Sequence, residues 1–326
     1  MRRELCQALT VETPVQTVIT HNNHKEHNAA VNYHHELSPL TSTMSNLVTR
    51  VLVAVIAIPL FVWLVLSGGW PFIIFVSVLS TLGVREFCQL AETKGALPHS
   101  FVTLLPAFII PLVVGYDCLH GSTFAFAAAV TCCILLMSTE LWRNIPHPLL
   151  NIAASLSALA YVTTLMSCMI LVRFMILTPN SMLGASLQLN DQWQAYLLLS
   201  MCITVWSGDS AAYFAGIAFG RHKIFPRVSP KKSWEGSIAG LVISPIAFGL
   251  STHFMLPSFP VEHAIVLGIL VGIIGPIGDF AESLLKRDAA IKDSSALIPG
   301  HGGVLDRFDS LLFAAPMMYV YLTLVR

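Results

Sequence analysis

Apolar runs of membrane length recur along this chain, and no other feature limits its fold so strongly. From Met44 onward they fall at 47–66, 69–84, 100–118, 121–138, 149–173, 194–219, 237–257, 263–281 and 308–325. An α-helix rises about 1.5 Å per residue, so about 20 apolar residues cross a hydrocarbon core of about 30 Å. Lipid offers no hydrogen-bonding partner, and a continuous apolar run of this length satisfies its own backbone only as a helix. The expected fold is therefore all-α: a polytopic integral membrane protein with about nine transmembrane helices. No repeat of about 20–50 residues recurs along the chain, and no Pro/Gly/Ser linker divides it into soluble domains.

Composition agrees with this reading. Of the 326 residues, 55% are hydrophobic and only 11% are charged, against about 25% charged in soluble domains. A chain this apolar cannot cover a water-exposed surface with polar groups. Eighteen Lys and Arg are balanced by eighteen Asp and Glu, which removes the case for a nucleic-acid binder working by bulk positive charge. The seven cysteines show no C-x-x-C spacing and lie mostly in apolar runs, so they are expected to be buried small hydrophobes and not disulfide or zinc ligands.

Residues 1–43 differ in kind. They are polar, rich in His, Asn and Thr, and cluster His21, His24, His27, His34 and His35 without any apolar period. Such a segment cannot bury enough surface to fold, so a disordered polar tail is expected in preference to a metal-binding one. It carries no charged n-region followed by an apolar h-region. Met44 opens a stretch that reads like a membrane-protein start, so residues 1–43 are expected to be an upstream extension or a mis-assigned start. Ahead lies a membrane-embedded domain at 44–326, whose motif-rich part is 194–326.

Lys and Arg concentrate in loops on the cytoplasmic side of membrane proteins. With nine spans, Arg85, Lys94, Arg143, the Arg221–Lys232 group and the Lys286–Arg307 group all fall in turns on one side. Arg173 and Arg326 are left for the other. The expected orientation has the N-terminus in the cytoplasm and the C-terminus outside.

Charge is also unevenly placed along the chain: 18 of the 29 charged residues after Met44 lie between Asp209 and Asp309. Asp209 stands in the apolar run ITVWSGDSAAYFAG, where an acid faces the bundle interior or a water-filled cavity. It serves either a binding site or a structural ion pair. The loop GRHKIFPRVSPKKSWEGS carries five basic residues within Arg221–Lys232. Two readings stay open for it, an anchor for anionic lipid and a cradle of cations and hydroxyls for phosphate oxygens.

The densest segment follows the eighth run, GDFAESLLKRDAAIKDSSALIPGHGGVLDRFDS. Asp279, Glu282, Ser283 and Lys286 are spaced i, i+3, i+4 and i+7, so they share one helix face. Asp306 and Asp309 are again i, i+3 at the start of the last run. Two helix ends thus bring the carboxylates of Asp279, Asp306 and Asp309 towards one point at the membrane surface, a hard oxygen set suited to Mg²⁺ or Mn²⁺. Lys286, Arg287, Lys292 and Arg307 stand beside them. Cation-binding carboxylates mixed with phosphate-binding cations are the parts of phosphoryl and nucleotidyl transfer. His301, in the Pro-Gly-His-Gly-Gly turn, serves either as acid/base or to order the turn.

These residues resemble the signature of the phosphatidate cytidylyltransferases, the CDP-diacylglycerol synthase family. The likeness is carried without a gap by Ser283, Lys286–Arg287, Lys292–Asp293, Pro299–Gly300–His301–Gly302–Gly303, Asp306–Arg307 and Asp309. A second block is similar to the family's membrane-helix and loop element, with Asp209, Ala212, Tyr213, Gly216 and Ser229–Gly236. Ser294 and Ser295 stand where many relatives have other small residues.

The resemblance implies a nucleotidyltransferase that moves CMP from CTP to phosphatidic acid, giving CDP-diacylglycerol and pyrophosphate in phospholipid biosynthesis. It implies Mg²⁺ at Asp279, Asp306 and Asp309, with Mn²⁺, a second metal or a monovalent cation left open. Lys286, Arg287, Lys292 and Arg307 would neutralise the transition state, with Asp293 and His301 in supporting catalytic roles. Asp209, Lys231, Lys232, Ser233, Glu235 and Ser283 would bind substrate. Partners on this reading are CTP, phosphatidic acid and membrane lipids, with no nucleic acid, and a homodimer is left open. The expected location is a bacterial-type cytoplasmic (inner) membrane, with the active site on its cytoplasmic side. A transporter is the rival from another class, since the Gly/Pro-interrupted GIIGPIGD at 272–279 recurs in such proteins. A polyprenol or dolichol kinase is disfavoured by the intact DRFD segment and by the lack of a Walker loop.

Overall fold

A computed structural model describes residues 38–177, 182–187, 192–298, 300 and 302–326. Residues 1–37 of the expected polar tail, and His301 with its neighbour Pro299, lie outside the described residues. The chain divides at Val51/Leu52 into two units, and Leu52–Arg326 carries everything discussed below. The described residues form helices: α1 (Ser38–Ser67), α2 (Gly69–Glu92), α3 (Ser100–His120), α4 (Phe124–Arg143), α5 (Pro148–Ala158), α6 (Leu165–Arg173), α7 (Met182–Leu187), α8 (Trp193–Phe219), α9 (Trp234–Met255), α10 (Val261–Asp288) and α11 (Leu305–Val325). A π-helical segment, Leu159–Thr164, joins α5 to α6 so that the two form one span. No named strand occurs among the described residues.

Among those residues, nine helices are long and apolar enough to cross a membrane. This is the expected number, because length and apolarity are local properties that no tertiary contact is needed to reveal. The helix ends were less legible. α2 runs on to Glu92 and α10 to Asp288, each beyond the apolar run that announced it, since charged residues at a membrane surface can extend a helix once neighbours partner them. Pro276 lies within GIIGPIGD, yet α10 continues through it from Val261 to Asp288. The interruption that would favour a transporter is therefore not present in this helix.

Side chains such as Val76, Met166, Leu197, Leu198 and Leu312 are almost wholly buried and form the bundle core, whereas Phe126, Leu141 and Phe254 point outward, at 79%, 82% and 78% exposure, as lipid-facing residues do. Small residues set the closest helix approach. α8 and α9 form a tight antiparallel pair, and a Cβ at Gly236 would lie 2.6 Å from the carbonyl oxygen of Ala212. Helices in lipid associate through this kind of backbone proximity.

The basic turns gather at one end of the bundle. Lys94, after α2, pairs with Asp288 at the end of α10 at 3.0 Å. Arg143, at the end of α4, donates to the carbonyl of Leu97 at 2.8 Å. Arg287 donates to the carbonyl of Val228 at 3.2 Å, tying the α8–α9 loop to α10. The alternation of charge along the sequence thus corresponds to one physical end of the molecule.

Candidate active site

The loop between α8 and α9 is held by its own backbone and by one carboxylate. Trp234 N donates to His222 O at 2.9 Å, and Lys223 and Ser233 form an isolated antiparallel bridge. Glu235 accepts from the backbone amides of Arg221 and His222 at 3.2 Å each and meets His222 Nδ1 at 2.7 Å. Ser233 caps α9 by accepting from Gly236 N at 3.3 Å. These bonds fold the SPKKSWEG segment back over the end of α10, which aims Lys232 inward.

Lys232 is ion-paired with Asp279 of α10, and its ammonium lies 4.4 Å from the centre of the Phe280 ring. Ser283 donates to the other oxygen of Asp279 at 3.3 Å. On the far side, Gly278 lets α11 come so near that a Cβ there would collide with the carbonyl oxygen of Asp309. That approach sets Asp309 beside Asp279, and Asp309 is within electrostatic range of Asp279, Asp209 and Lys232 together.

A cavity of about 1050 Å³ opens between α8, α9, α10 and the start of α11. Its polar end is lined by Asp209, Lys231, Lys232, Asp279, Asp306 and Asp309, with Ser229, Ser233 and Arg307 beside them. Its other wall is formed by Val205, Trp206, Tyr213, Ile217, Val271 and Leu311. Trp206, Tyr213 and Ile217 also reach the outer surface of the bundle, at 42%, 64% and 68% exposure. The cavity therefore joins a highly charged chamber to the lipid-facing side, a form suited to an amphiphile with an anionic head.

Other expected residues turn elsewhere. The ammonium of Lys286 is fixed between Glu282 Oε2, at 2.5 Å, and Asp306 Oδ1, at 2.6 Å, away from the cavity wall. Arg287 uses its donors on the carbonyls of Val228 and Ile291. Glu235 and Ser283 brace the loop and Asp279 and do not line the cavity. Lys292 and Asp293 are exposed on the loop after α10, outside the cavity lining.

Asp306 is heavily bonded. Besides Lys286, its Oδ2 accepts from Ser294 N at 2.9 Å, Ser294 Oγ at 2.9 Å and Gly303 N at 2.8 Å. Three further residues were given no role by the sequence. Ser294 sits among these donors, Glu282 is fully buried beneath Lys286, and Glu86 of α2 reaches the start of α11. Glu86 lies just past the apolar run 69–84 and next to Arg85, so it reads as part of a charged turn.

The donors facing the cavity are all hard oxygen or ammonium and guanidinium groups. Among the described residues, no three acidic, His or Cys side chains already form a ready ligand set. A divalent cation here would draw its remaining coordination from water and from substrate phosphates, the habit of Mg²⁺. Carboxylates, ammonium and guanidinium groups and an apolar wall thus line one cavity of a protein whose described residues include nine helices of membrane length.

The chain belongs to the cytidylyltransferase family, which it matches over residues 48–325. It is 33% identical to a phosphatidate cytidylyltransferase of Synechocystis sp. over 292 residues, 85% of this chain and 96% of that protein. It is 30% identical to the phosphatidate cytidylyltransferase of Bacillus subtilis over 86% of this chain and 99% of that protein. Identity rises to 47% with the phosphatidate cytidylyltransferase of Haemophilus influenzae over a shorter stretch of 131 residues, 39% of this chain and 46% of the other.

Proposed function

We propose that this protein is a phosphatidate cytidylyltransferase, joining CMP from CTP to phosphatidic acid to make CDP-diacylglycerol and pyrophosphate. The observation that carries the reading is a single cavity that brings Lys231, Lys232 and Arg307 together with Asp209, Asp279 and Asp309 and opens on lipid-facing side chains. Family membership and the similar proteins named above support it.

In this reaction an oxygen of the phosphatidate phosphate attacks the α-phosphorus of CTP. The new P–O bond replaces the bond to the β-phosphate, and pyrophosphate leaves with the electron pair. The nucleophile is already ionised, so no strong general base is needed. The obstacle is repulsion between two polyanions. Lys231, Lys232 and Arg307 offset that repulsion and take up charge developing on the α-phosphoryl oxygens and the leaving group. Asp279, Asp306 and Asp309, with Asp209 across the cavity, would supply the hard donors to hold Mg²⁺. When bound, that ion neutralises phosphate charge and polarises the phosphoryl oxygens. Trp206, Tyr213 and Ile217 mark the side through which the acyl chains stay in the bilayer.

The basic turns gathered at the cavity end support a site on the cytoplasmic face, by the positive-inside rule. A bacterial cytoplasmic membrane is the setting that fits the bacterial relatives. The test is to incubate the purified protein with labelled CTP, phosphatidate and Mg²⁺. CDP-diacylglycerol and pyrophosphate should form in equal amounts and be lost in Asp279→Asn. A wild-type protein that yields neither, in any lipid or detergent that keeps it folded, would sink the proposal.

A further inference from the structure

The last helix begins without a cap of its own. Val304 stands at its N-cap position and offers no side-chain acceptor, although the first amides of a helix need partners. Those amides are satisfied from a helix more than 200 residues away in sequence. Val304 N donates to Glu86 Oε1 and Leu305 N to Glu86 Oε2, each at 2.9 Å. Glu86 is 2% exposed. The same carboxylate accepts from Ser295 Oγ at 2.6 Å and lies 2.9 Å from Ser294 Oγ, whose one proton it shares with Asp306.

Ser294 links this clamp to the cavity. Its hydroxyl lies 2.9 Å from Glu86 Oε2 and 2.9 Å from Asp306 Oδ2, while its backbone N–H donates to Asp306. Glu86 thus fixes the axis and first turn of α11 through two amides, and fixes the loop that orients Asp306 through two hydroxyls. Asp309 follows three residues along the same helix and moves with that turn. A buried carboxylate at a helix N-terminus is also favourably placed against the helix dipole.

We infer that Glu86 is a positioning residue for the transfer reaction: through Ser294 and the first turn of α11 it sets where Asp306 and Asp309 stand in the cavity. The inference rests on the cytidylyltransferase reading above. Groups that orient ligands from one shell out typically change metal affinity or activity by about 10–100-fold when removed.

The experiment compares wild type, Glu86→Gln and Ser294→Ala. Steady-state assays give kcat and the KM for CTP and for phosphatidate, and electron paramagnetic resonance of Mn²⁺ with CTP gives a binding readout that needs no turnover. Glu86→Gln removes two acceptor bonds, so kcat/KM for CTP should fall about 10–100-fold and Mn²⁺ binding weaken about tenfold, with the phosphatidate KM within about twofold. Ser294→Ala keeps both carboxylates and both amide bonds to Glu86, and should move the same parameters in the same direction by a smaller factor. It decides the matter if Glu86→Gln does not fold. Wild-type CTP and Mn²⁺ parameters in a folded variant, or an equal loss in every parameter, would overturn the inference. A wild type that makes no CDP-diacylglycerol would overturn the reaction assignment instead, and the Mn²⁺ titration would still report on Glu86.

Discussion

Lys232 and Asp279 form an ion pair that joins the SPKKSWEG loop to α10, so the two motif blocks meet through one contact. Both side chains keep part of their surface open, 30% and 28%, and both line the cavity. A pair of this exposure adds about 0–1 kcal/mol to stability. Its importance lies in charge placement. Lys232→Ala and Asp279→Ala should each lower kcat/KM by at least about 100-fold, an effect of about 2.7 kcal/mol on the transition state, while the thermal midpoint in detergent barely moves. The charge-swapped Lys232→Asp/Asp279→Lys protein should regain the attraction and stay inactive. Restored activity in the swap would reduce the pair to a structural tie.

Lys286 makes the opposite prediction. Its ammonium is held by Glu282, which is fully buried, and by Asp306. Removing one partner of a buried pair strands the other charge and costs about 3–5 kcal/mol, whereas replacing the whole pair by apolar groups is often neutral. Lys286→Met should therefore melt markedly lower than wild type. Adding Glu282→Met should recover most of the lost stability, yet not the activity, because Asp306 still lacks its partner. Thermal melts of the two variants beside a CDP-diacylglycerol assay check both halves, and an unchanged melt for Lys286→Met would show the pair to be dispensable.

These contrasts mark where the sequence could be read and where it could not. The spans were legible because each is a local run of apolar residues, and the four-residue face Asp279, Glu282, Ser283, Lys286 followed from helix periodicity alone. Asp209, Lys231, Lys232, Asp279, Asp306, Arg307 and Asp309 do line one cavity, because short motifs fixed their spacing within α8, the α8–α9 loop, α10 and the start of α11. What periodicity cannot say is where a charged side chain spends its hydrogen bonds. Lys286 stands on the motif face and Arg287 beside it, yet one is drawn under Asp306 and the other to the carbonyl of Val228, choices made by how α11 and the α8–α9 loop dock. Glu86 was hidden for the same reason, since its partners lie more than 200 residues further along the chain.

Glu235 separates loop-holding from substrate contact. It was expected to bind substrate, but its oxygens accept from Arg221 N and His222 N and meet His222 Nδ1. Glu235→Gln retains one acceptor oxygen and should keep kcat within about threefold, the scale of one weakened hydrogen bond. Glu235→Ala frees the loop and should raise the KM for CTP by about tenfold, as Lys231 and Lys232 lose their fixed positions. A larger effect from the Gln variant than from the Ala variant would mean that the carboxylate itself meets substrate.

Gly303 offers a test of the loop without any change of charge. A Cβ at this position would strike Ser294 Oγ and lie 2.6 Å from Glu86 Oε2, and both groups are pinned by other bonds. Overpacking of this type costs about 1–3 kcal/mol, and here the strain falls on the groups that orient Asp306. Gly303→Ala should therefore lower kcat/KM for CTP by at least about tenfold, an effect of about 1.4 kcal/mol, though no atom of Gly303 need touch substrate. Ser294→Gly added to Gly303→Ala removes one of the two collisions and should recover part of the lost thermal stability. Gly95→Ala is the control: its φ of +82° is strained for any L residue but a Cβ there meets nothing within 4 Å. It should cost about 1–2 kcal/mol of stability and leave the CTP parameters untouched. If Gly303→Ala behaves like Gly95→Ala, the loop does not transmit its geometry to the cavity.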